Sequence, residues 1–144
     1  MAKSALKRKS GTAKKPVSRK AKKVQSKGKD PSTRIAEAVI KGIQEKKGKG
    51  IVWLDLRKIE SAVCSYFIIC EAPSSTQIAA LAGSVEEVVK NECDQRPWHS
   101  EGRQNAQWLL IDYVTVVVHI FQTEIRSFYN LEGLWADAEK MKIK

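Results

Sequence analysis

Two aspartates come nearest to a catalytic pattern in this chain. Asp55 and Asp112 each stand near the end of an apolar run, and a pair of strand carboxylates can hold magnesium for phosphoryl or nucleotidyl transfer. The other parts of such a site are missing from the sequence. It has no Gly-rich phosphate loop, no G-K-[ST] motif and no second carboxylate within two residues of either aspartate. We therefore interpret both as strand-terminating or partner-facing residues, and predict a protein without catalysis, metal or cofactor.

His119 has a side chain that could act as a general base near neutral pH. It lies within the apolar run V-V-V-H-I-F, and no serine or cysteine precedes it in a recognisable nucleophile turn. Three serines, Ser84, Ser100 and Ser127, likewise lack the G-x-S-x-G context of serine hydrolases. We predict that His119 is a strand histidine that donates a hydrogen bond to a backbone or carboxylate partner.

The three cysteines indicate a reducing environment. Cys64, Cys70 and Cys93 are odd in number and have no C-x-x-C spacing, which is typical of reduced, mostly buried thiols. A zinc site needs ligands in close pairs, and His99 and His119 do not supply them. The chain has no run of 18 apolar residues and no apolar segment after its basic start. We therefore expect neither a membrane span nor secretion, and a cytoplasmic location.

Aromatic residues at strand ends and in a polar segment indicate protein binding. Trp98 lies in a polar stretch, Trp108 begins an apolar run, and Tyr113 closes that run. Rings placed beside arginine and glutamate residues have the composition of a protein-binding patch. Trp53 and Trp135 have apolar neighbours at strand and helix spacing, so we predict that they belong to the core. The residues predicted to contact a partner are Trp98, Trp108, Asp112 and Tyr113.

The first 32 residues differ from the rest in charge. They hold twelve of the 26 Lys and Arg residues against the single Asp30, whereas residues 33–144 hold fourteen Lys or Arg against fifteen Asp or Glu. Such a segment cannot bury enough apolar surface to fold, so we predict a disordered Lys-rich tail. Arms of this kind commonly bind nucleic acid, and the alternative is a solubilising tail with no defined partner. The tail residues predicted to contact RNA are Lys7, Arg8, Lys9, Lys14, Lys15, Arg19, Lys20, Lys22 and Lys23.

The remaining chain alternates between helical and strand patterns. Asp30 and Pro31 suit the start of a helix, which the apolar spacing extends to near Gly48. Continuous apolar runs fit strands covered on both faces, and amphipathic periodicity fits helices packed on a sheet. The further predicted elements are strands at 50–57 and 65–70, a helix capped by Ser74 or Ser75, a loop at 93–107 with room for a short strand, strands at 108–113 and 115–121, and a helix or helix pair at 123–139. This order predicts one α/β domain, residues 33–140, with a mixed β-sheet flanked by helices.

Between Ile35 and Ala138 the chain carries seven spaced motifs. They are L-D-L at 54–56, Y-F-I-I-C at 66–70, S-x-x-Q at 74–77, E-G at 101–102, W-x-L-x-D-Y at 108–113, V-V-V-H-x-F at 116–121 and E-x-R-x-F-Y-x-L-E-x-L-W at 124–135. With this order and spacing the chain resembles the Iojap or RsfS family of ribosomal silencing factors. The last three motifs are the most specific part of the resemblance.

The resemblance implies a nucleotidyltransferase-like topology without catalysis, and binding to the large ribosomal subunit through ribosomal protein uL14. A bound factor would sterically block association with the small subunit and repress translation when nutrients are scarce. The basic tail lies outside the shared domain, so its contact with ribosomal RNA is a separate hypothesis. Two alternatives stay open: a large-subunit assembly factor, as organellar members are, and a nucleotidyltransferase-like enzyme using Asp55 and Asp112. The oligomeric state stays open between a monomer and a homodimer.

At three places the sequence departs from the family's pattern. Ser65 stands where many members have Asp, and Ala72-Pro73 stands where many have Gly-Asn. Val114-Thr115 stands where Gly-Asp is frequent, so a tight primed turn loses its usual glycine. These departures concern the details of the hairpin and of any acidic site, and leave the predicted fold unchanged.

Overall fold

A six-stranded mixed β-sheet with helices on both faces forms the part of the chain that the structure describes. The structure is a computed structural model, and it describes residues 30–103 and 107–144. The tail residues predicted to contact RNA lie outside this part. The elements are α1 (Pro31–Glu45), β1 (Lys49–Asp55), β2 (Tyr66–Ala72), α2 (Ser75–Cys93), β3 (His99–Glu101), β4 (Trp108–Asp112), β5 (Val116–Gln122), α3 (Thr123–Tyr129), α4 (Leu131–Leu134) and β6 (Glu139–Ile143). No described helix is both long enough and apolar enough to cross a membrane.

Both long helices begin at side-chain caps that the sequence indicates. Asp30 accepts a hydrogen bond from the amide of Thr33 at 2.8 Å, and Ser74 accepts one from the amide of Gln77 at 3.2 Å. Each cap satisfies an amide that has no partner within the helix. The apolar side chains at helical spacing on α1 and α2 are buried against the sheet, as their amphipathic pattern predicts.

The strand order is β3-β4-β5-β2-β1-β6, and β2 and β5 form a parallel pair at the centre. The other described neighbours are antiparallel. The central pair carries nearly continuous apolar sequence because both of its faces are covered. The predicted fold class, a single mixed α/β domain, is therefore confirmed. The segment 93–107, predicted as a loop with room for a short strand, contains the three-residue strand β3.

The two faces of the sheet bury separate apolar clusters. On the helix face, the side toward α1 and α2, the sheet contributes Ile68 and Val118. On the opposite side, which we call the rear face, Phe67, Leu110 and Phe121 are buried beneath α3, α4 and the segment after β1. Each large apolar side chain buried in this way contributes about 1.5–3 kcal/mol to the free energy of unfolding. The rear face therefore depends on two short helices for its cover.

The C-terminal region is where the predicted element order is wrong. The expected helix pair is present, but Asn130 divides it with a left-handed φ of 46° and the second helix ends at Leu134. Strand β6 then follows and pairs with β1, with Ile143 opposite Ile51. The segment E-K-M-K-I has too few apolar residues to be recognised as a strand, because an exposed edge strand needs little apolar surface. The described elements extend past the predicted bounds of 33 and 140.

The β4–β5 hairpin contains a strained turn at Val114. This residue has a φ of +76°, and the amide of Thr115 donates to the carbonyl of Tyr113 at 2.9 Å, which closes a three-residue γ-turn. A positive φ is unfavourable for a β-branched residue. The carboxylate of Asp112 accepts a hydrogen bond from the amide of Val114 at 2.7 Å and so holds the turn in place. The loss of the usual glycine therefore leaves a strained turn that a buried carboxylate supports.

We expect Val114→Gly to raise the free energy of unfolding by about 1 kcal/mol, measured by urea titration. Glycine removes strain of about 1–3 kcal/mol at a positive φ, and its extra freedom in the unfolded chain offsets about 0.5–1 kcal/mol of that gain. The matched control is Thr115→Gly, since Thr115 has no positive φ. The control should lower stability. Equal destabilisation by both changes would show that Val114 is not strained.

Candidate docking surface

The four residues predicted to contact a partner do not form one patch. Trp98 lies at one end of β4, where its amide donates to the carbonyl of Asp112 at 2.8 Å, and Trp108 begins β4 at the other end. The length of the strand separates these ends by about 13 Å. Trp98 is 55% exposed and Trp108 is half-buried. The predicted patch therefore divides into two regions.

Two of the predicted contact residues lie inside the domain. Asp112 is fully buried on the rear face, where it supports the hairpin turn. Tyr113 is 6% exposed and belongs to the helix-face cluster, and burial raises the pKa of its hydroxyl. The expectation that these side chains lie at the surface is wrong, because each is turned into one of the two apolar clusters. The Asp112 carboxylate supports the hairpin turn, and the Tyr113 ring packs in the helix-face cluster.

Trp108 contacts an aromatic pair, Phe128 and Tyr129, that is not among the predicted contact residues. Its ring centroid lies 4.5 Å from that of Tyr129, whose ring in turn lies 5.1 Å from Phe128. Phe128 is 77% exposed and Tyr129 is 42% exposed. We call these three residues the aromatic patch. Leu134 on α4 is exposed too, so three of the five exposed large apolar side chains of the described residues lie on α3 and α4.

The sequence does contain a signal for Phe128 and Tyr129. Neighbouring helix positions point about 100° apart, so two consecutive aromatics in a short helix cannot both face the same core. The rest of α3 is largely polar, T-E-I-R-S. The sequence therefore predicts that one of the two aromatics is exposed, but it does not predict the contact of Tyr129 with Trp108.

His119 fixes the orientation of Trp108. The indole Nε1 donates a hydrogen bond to His119 Nδ1 at 3.1 Å, which requires a neutral imidazole with its proton on Nε2. His119 is fully buried, its ring lies 4.5 Å from that of Phe67, and burial lowers its pKa to about 3. The predicted backbone or carboxylate partner is wrong, because His119 accepts from an indole. No described residue accepts a hydrogen bond from its Nε2.

Arg126 holds α3, and thus the exposed half of the aromatic patch, on the rear face. None of the residues of α3 is classed as buried. Its Arg126 donates to the carbonyl of Gly50 at 2.7 Å, to Glu71 at 2.9 Å and to Glu132 at 2.8 Å. Burial acts to lower the pKa of Arg126, but the carboxylates of Glu132 and Glu71 outweigh it and raise that pKa. The network joins β1, β2, α3 and α4.

Gly50 is required for this network on two grounds. Its φ of +59° is a conformation that residues with side chains rarely adopt. A Cβ atom there would also lie 2.5 Å from Nη1 of Arg126. The glycine at the start of β1 therefore leaves the space through which the guanidinium reaches the backbone.

The two aspartates of the enzymatic alternative are not a pair. Asp55 ends β1 and Asp112 ends β4, and the strand order places β2 and β5 between them. Three strand spacings separate them by about 14 Å, far more than a shared ion allows. Arg57 donates to both carboxylate oxygens of Asp55, at 2.9 and 2.8 Å, and this bond lowers the pKa of Asp55. In 30–103 and 107–144, no three His, Cys, Asp or Glu side chains form a metal-binding group.

The other residues predicted to lie in the core are either fully buried or partly buried. Cys70 is fully buried, and burial raises the pKa of its thiol to about 12, as expected of an inert core cysteine. Cys64 and Cys93 are partly buried. Trp53 and Trp135 are half-buried, and each packs against an apolar cluster.

Comparisons with known proteins agree with the motifs. The family model of the ribosomal silencing factor during starvation, RsfS, matches residues 29–144. The ribosomal silencing factor RsfS of Halalkalibacterium halodurans is 32% identical over 110 residues, covering 76% of this chain and 92% of that protein. A crystal structure of a protein from Chromobacterium violaceum has a TM-score of 0.68 at 33% identity, covering 72% of this chain and 85% of that one. The mouse mitochondrial assembly of ribosomal large subunit protein 1 is 30% identical over 78 residues, covering 53% of this chain and 34% of that protein.

We expect the stability of the protein to fall between pH 7 and pH 5 because of His119. Its folded pKa is about 3, whereas a histidine in the unfolded chain titrates near 6.5. Below pH 6.5 the unfolded chain therefore binds a proton that the folded chain does not, and stability is lost by about 1.4 kcal/mol per pH unit. Urea titrations at several pH values measure this slope.

The variant His119→Gln should flatten the slope, and the matched control His99→Gln, which leaves the buried His119 in place, should retain it. If His119→Gln retains the slope of the parent, the buried imidazole is not the group that titrates.

Proposed function

The chain belongs to the RsfS family of ribosomal silencing factors, and on this premise we propose that it binds the large ribosomal subunit and prevents association with the small subunit. The partner we propose is ribosomal protein uL14, the effect is repression of translation under nutrient limitation, and the location is cytoplasmic. The proposed partner and effect follow from the family, and the proposed contact surface follows from the arrangement of exposed residues in the fold.

The observation that carries the proposal is the aromatic patch. Phe128, Tyr129 and Trp108 form one connected ring cluster, and its most exposed member shows 77% of its surface. Aromatic residues on a rigid base are the usual centres of binding energy in protein interfaces, because little conformational freedom is lost on binding. The base is rigid here, since His119 orients the indole and Arg126 anchors α3. The patch therefore has the properties of a preformed docking site for a protein.

Trp98 forms a second exposed position at the other end of β4. Its ring centroid lies 5.7 Å from that of the neighbouring His99, whose Nε2 lies 2.9 Å from a carboxylate oxygen of Glu101. Such a polar margin is typical of the rim of an interface, where ion pairs contribute specificity more than affinity. We assign Trp98 to the margin and the aromatic patch to the centre of the proposed contact.

The proposed mechanism is steric exclusion, which needs no catalytic group. A factor bound to the free large subunit must leave before the small subunit can join. At a factor concentration 100 times its Kd, this stabilises the free subunit by about 2.7 kcal/mol, which weakens subunit association about 100-fold. The separation of Asp55 from Asp112 is consistent with a function of this kind.

The second candidate is a role in assembly of the large subunit. It is supported by the name of the mouse relative, mitochondrial assembly of ribosomal large subunit protein 1. The two roles differ in the particle that binds. A silencing factor binds mature large subunits and blocks their joining, whereas an assembly factor binds incomplete particles in preference to mature ones.

We expect Phe128→Ala combined with Tyr129→Ala to weaken binding to purified large subunits by at least about 30-fold, because loss of an interface centre costs about 2 kcal/mol or more. Sedimentation through sucrose measures binding, and light scattering on mixing the two subunits measures the block of association. The matched control is Met141→Ala, another exposed apolar residue, on the opposite side of the sheet.

The control should bind and block as the parent does. If the double variant still sediments with large subunits as the parent does, the aromatic patch is not the docking site. Binding to immature particles alone, without a block of subunit joining, would favour the assembly role.

We propose that the Lys-rich tail contacts ribosomal RNA, a hypothesis whose residues lie outside the described part of the chain. Each lysine or arginine placed near a phosphate releases a counterion, so binding becomes steeply dependent on salt. Replacing the nine candidate tail residues by glutamine in the full-length chain should flatten the plot of log affinity for large subunits against log salt by several units. A slope equal to that of the parent would show that the tail is only a solubilising segment.

A further inference from the structure

Six exposed lysines lie on or next to β6 and between the end of α1 and the start of β1. Three follow α1 in the segment K-K-G-K, and three occupy alternate positions of the C-terminal strand segment K-M-K-I-K. We call this set the lysine edge: Lys46, Lys47, Lys49, Lys140, Lys142 and Lys144.

The pairing of β1 with β6 brings the two groups into one region. Lys140 lies opposite Leu54 and Lys142 opposite Val52, so both project from the rear face of the edge strand. Residues at alternate strand positions lie about 7 Å apart on the same face. At the far end, Gln44 in the last turn of α1 donates to the carbonyl of Lys144 at 3.4 Å. The strand lysines therefore run toward the loop that carries the other three.

Two of the nearby carboxylates are paired with other cations, and Glu45 at the end of α1 adds one negative charge beside the six lysines. Glu71 is the cross-strand neighbour of Lys49, but its carboxylate accepts from Arg126. Glu139, the acidic residue of β6, lies 3.8 Å from Lys58. Within the described residues none of the six lysines forms an ion pair, although residues 33–144 as a whole are nearly neutral. The positive charge is therefore concentrated at this edge.

The protection of an edge strand explains only part of this arrangement. Lysines on an edge strand discourage pairing with another sheet, which accounts for Lys140 and Lys142. It does not account for Lys46 and Lys47, which lie in the turn before β1 and not on the edge strand. A positive surface that extends from the strand onto a turn indicates a ligand with distributed negative charge.

We propose that the lysine edge binds the phosphate backbone of double-helical RNA, independently of the tail. Lysine ammonium groups act as mobile point charges that suit phosphates of varying position, and the edge offers no exposed ring for stacking on unpaired bases. The choice of RNA over other polyanions rests on the proposed function, because a ribosome-bound factor meets RNA around its protein contact. Four strand spacings, about 19 Å, separate β6 from β4, which carries Trp108. The edge strand is therefore well separated from Trp108, whereas α3, which carries Phe128 and Tyr129, reaches Gly50 beside Lys49.

The test uses the full-length chain and a fluorescein-labelled RNA duplex of about 20 base pairs, with affinity measured by anisotropy from low to moderate salt. Two variants probe the edge: Lys140→Gln with Lys142→Gln, and Lys46→Gln with Lys49→Gln. Each should reduce the slope of log affinity against log salt by about one unit per lysine that contacts a phosphate. We expect a loss of affinity of about 3- to 10-fold per pair.

The matched control, Lys41→Gln with Lys90→Gln, removes the same charge from lysines that pair with Glu92 and Asp94. It should leave the slope unchanged. Equal slopes for the edge and control variants would overturn the proposal, as would self-association of the Lys140 and Lys142 variant with unchanged RNA affinity. A loss of binding to anionic phospholipid vesicles without a loss of RNA binding would assign the edge to a membrane instead.

The duplex contains no protein, so this result does not depend on whether the aromatic patch docks on uL14. Edge variants that lose RNA affinity but still sediment with large subunits would separate the two surfaces. Aromatic-patch variants should show the parent's salt slope on the duplex.

Discussion

The ion network of Arg126 is the interaction on which the exposed surface of this domain depends. The helix that carries Phe128 and Tyr129 has no residue classed as buried, so apolar burial alone holds it weakly. Arg126 reaches beneath that helix to a backbone carbonyl and two carboxylates on different elements. A partly buried guanidinium must be desolvated, which is unfavourable unless its donors are matched, and removing one partner from such a group costs several kcal/mol. The network thus holds α3 in one position, and it thereby fixes the shape of the proposed docking site.

Two buried polar residues, His119 and Asp112, hold Trp108 and the β4–β5 turn in place. Burying a charged His119 would be unfavourable, and burial keeps the imidazole neutral, so its Nδ1 can accept a hydrogen bond from the indole N–H of Trp108. Asp112 lies on the same rear face and accepts a hydrogen bond from the amide of Val114. This bond stabilises a turn whose positive φ is unfavourable for valine. Both residues were candidates for chemistry in the sequence. In the fold His119 holds Trp108 and Asp112 holds Val114 in position. The held residue is partly exposed, whereas the polar residue is buried.

Most elements could be predicted because their signals are local. The helix starts at Asp30 and Ser74 follow from capping by the side chain, and the central strands follow from apolar runs covered on both faces. Strand β6 could not be predicted, because an edge strand that pairs through its backbone needs few apolar side chains. Among the four residues predicted to contact a partner, Trp108 lies in the aromatic patch, whereas Asp112 and Tyr113 are buried inside the domain. Alternation along a strand assigns a residue to one face or the other, but it does not say whether that face is covered.

The sequence by itself determined the family, the α/β class and the uneven charge of the chain, since motifs, periodicity and composition are properties of neighbouring residues. The tertiary structure alone decided which residues meet. It placed Tyr129 against Trp108, Arg126 against Gly50, and Gln44 against the carbonyl of Lys144, across separations of 21, 76 and 100 residues in the sequence. Such contacts depend on strand order and register, which are set by the packing of the whole sheet and leave no local signature. The two surfaces proposed here, one aromatic and one basic, are products of that packing.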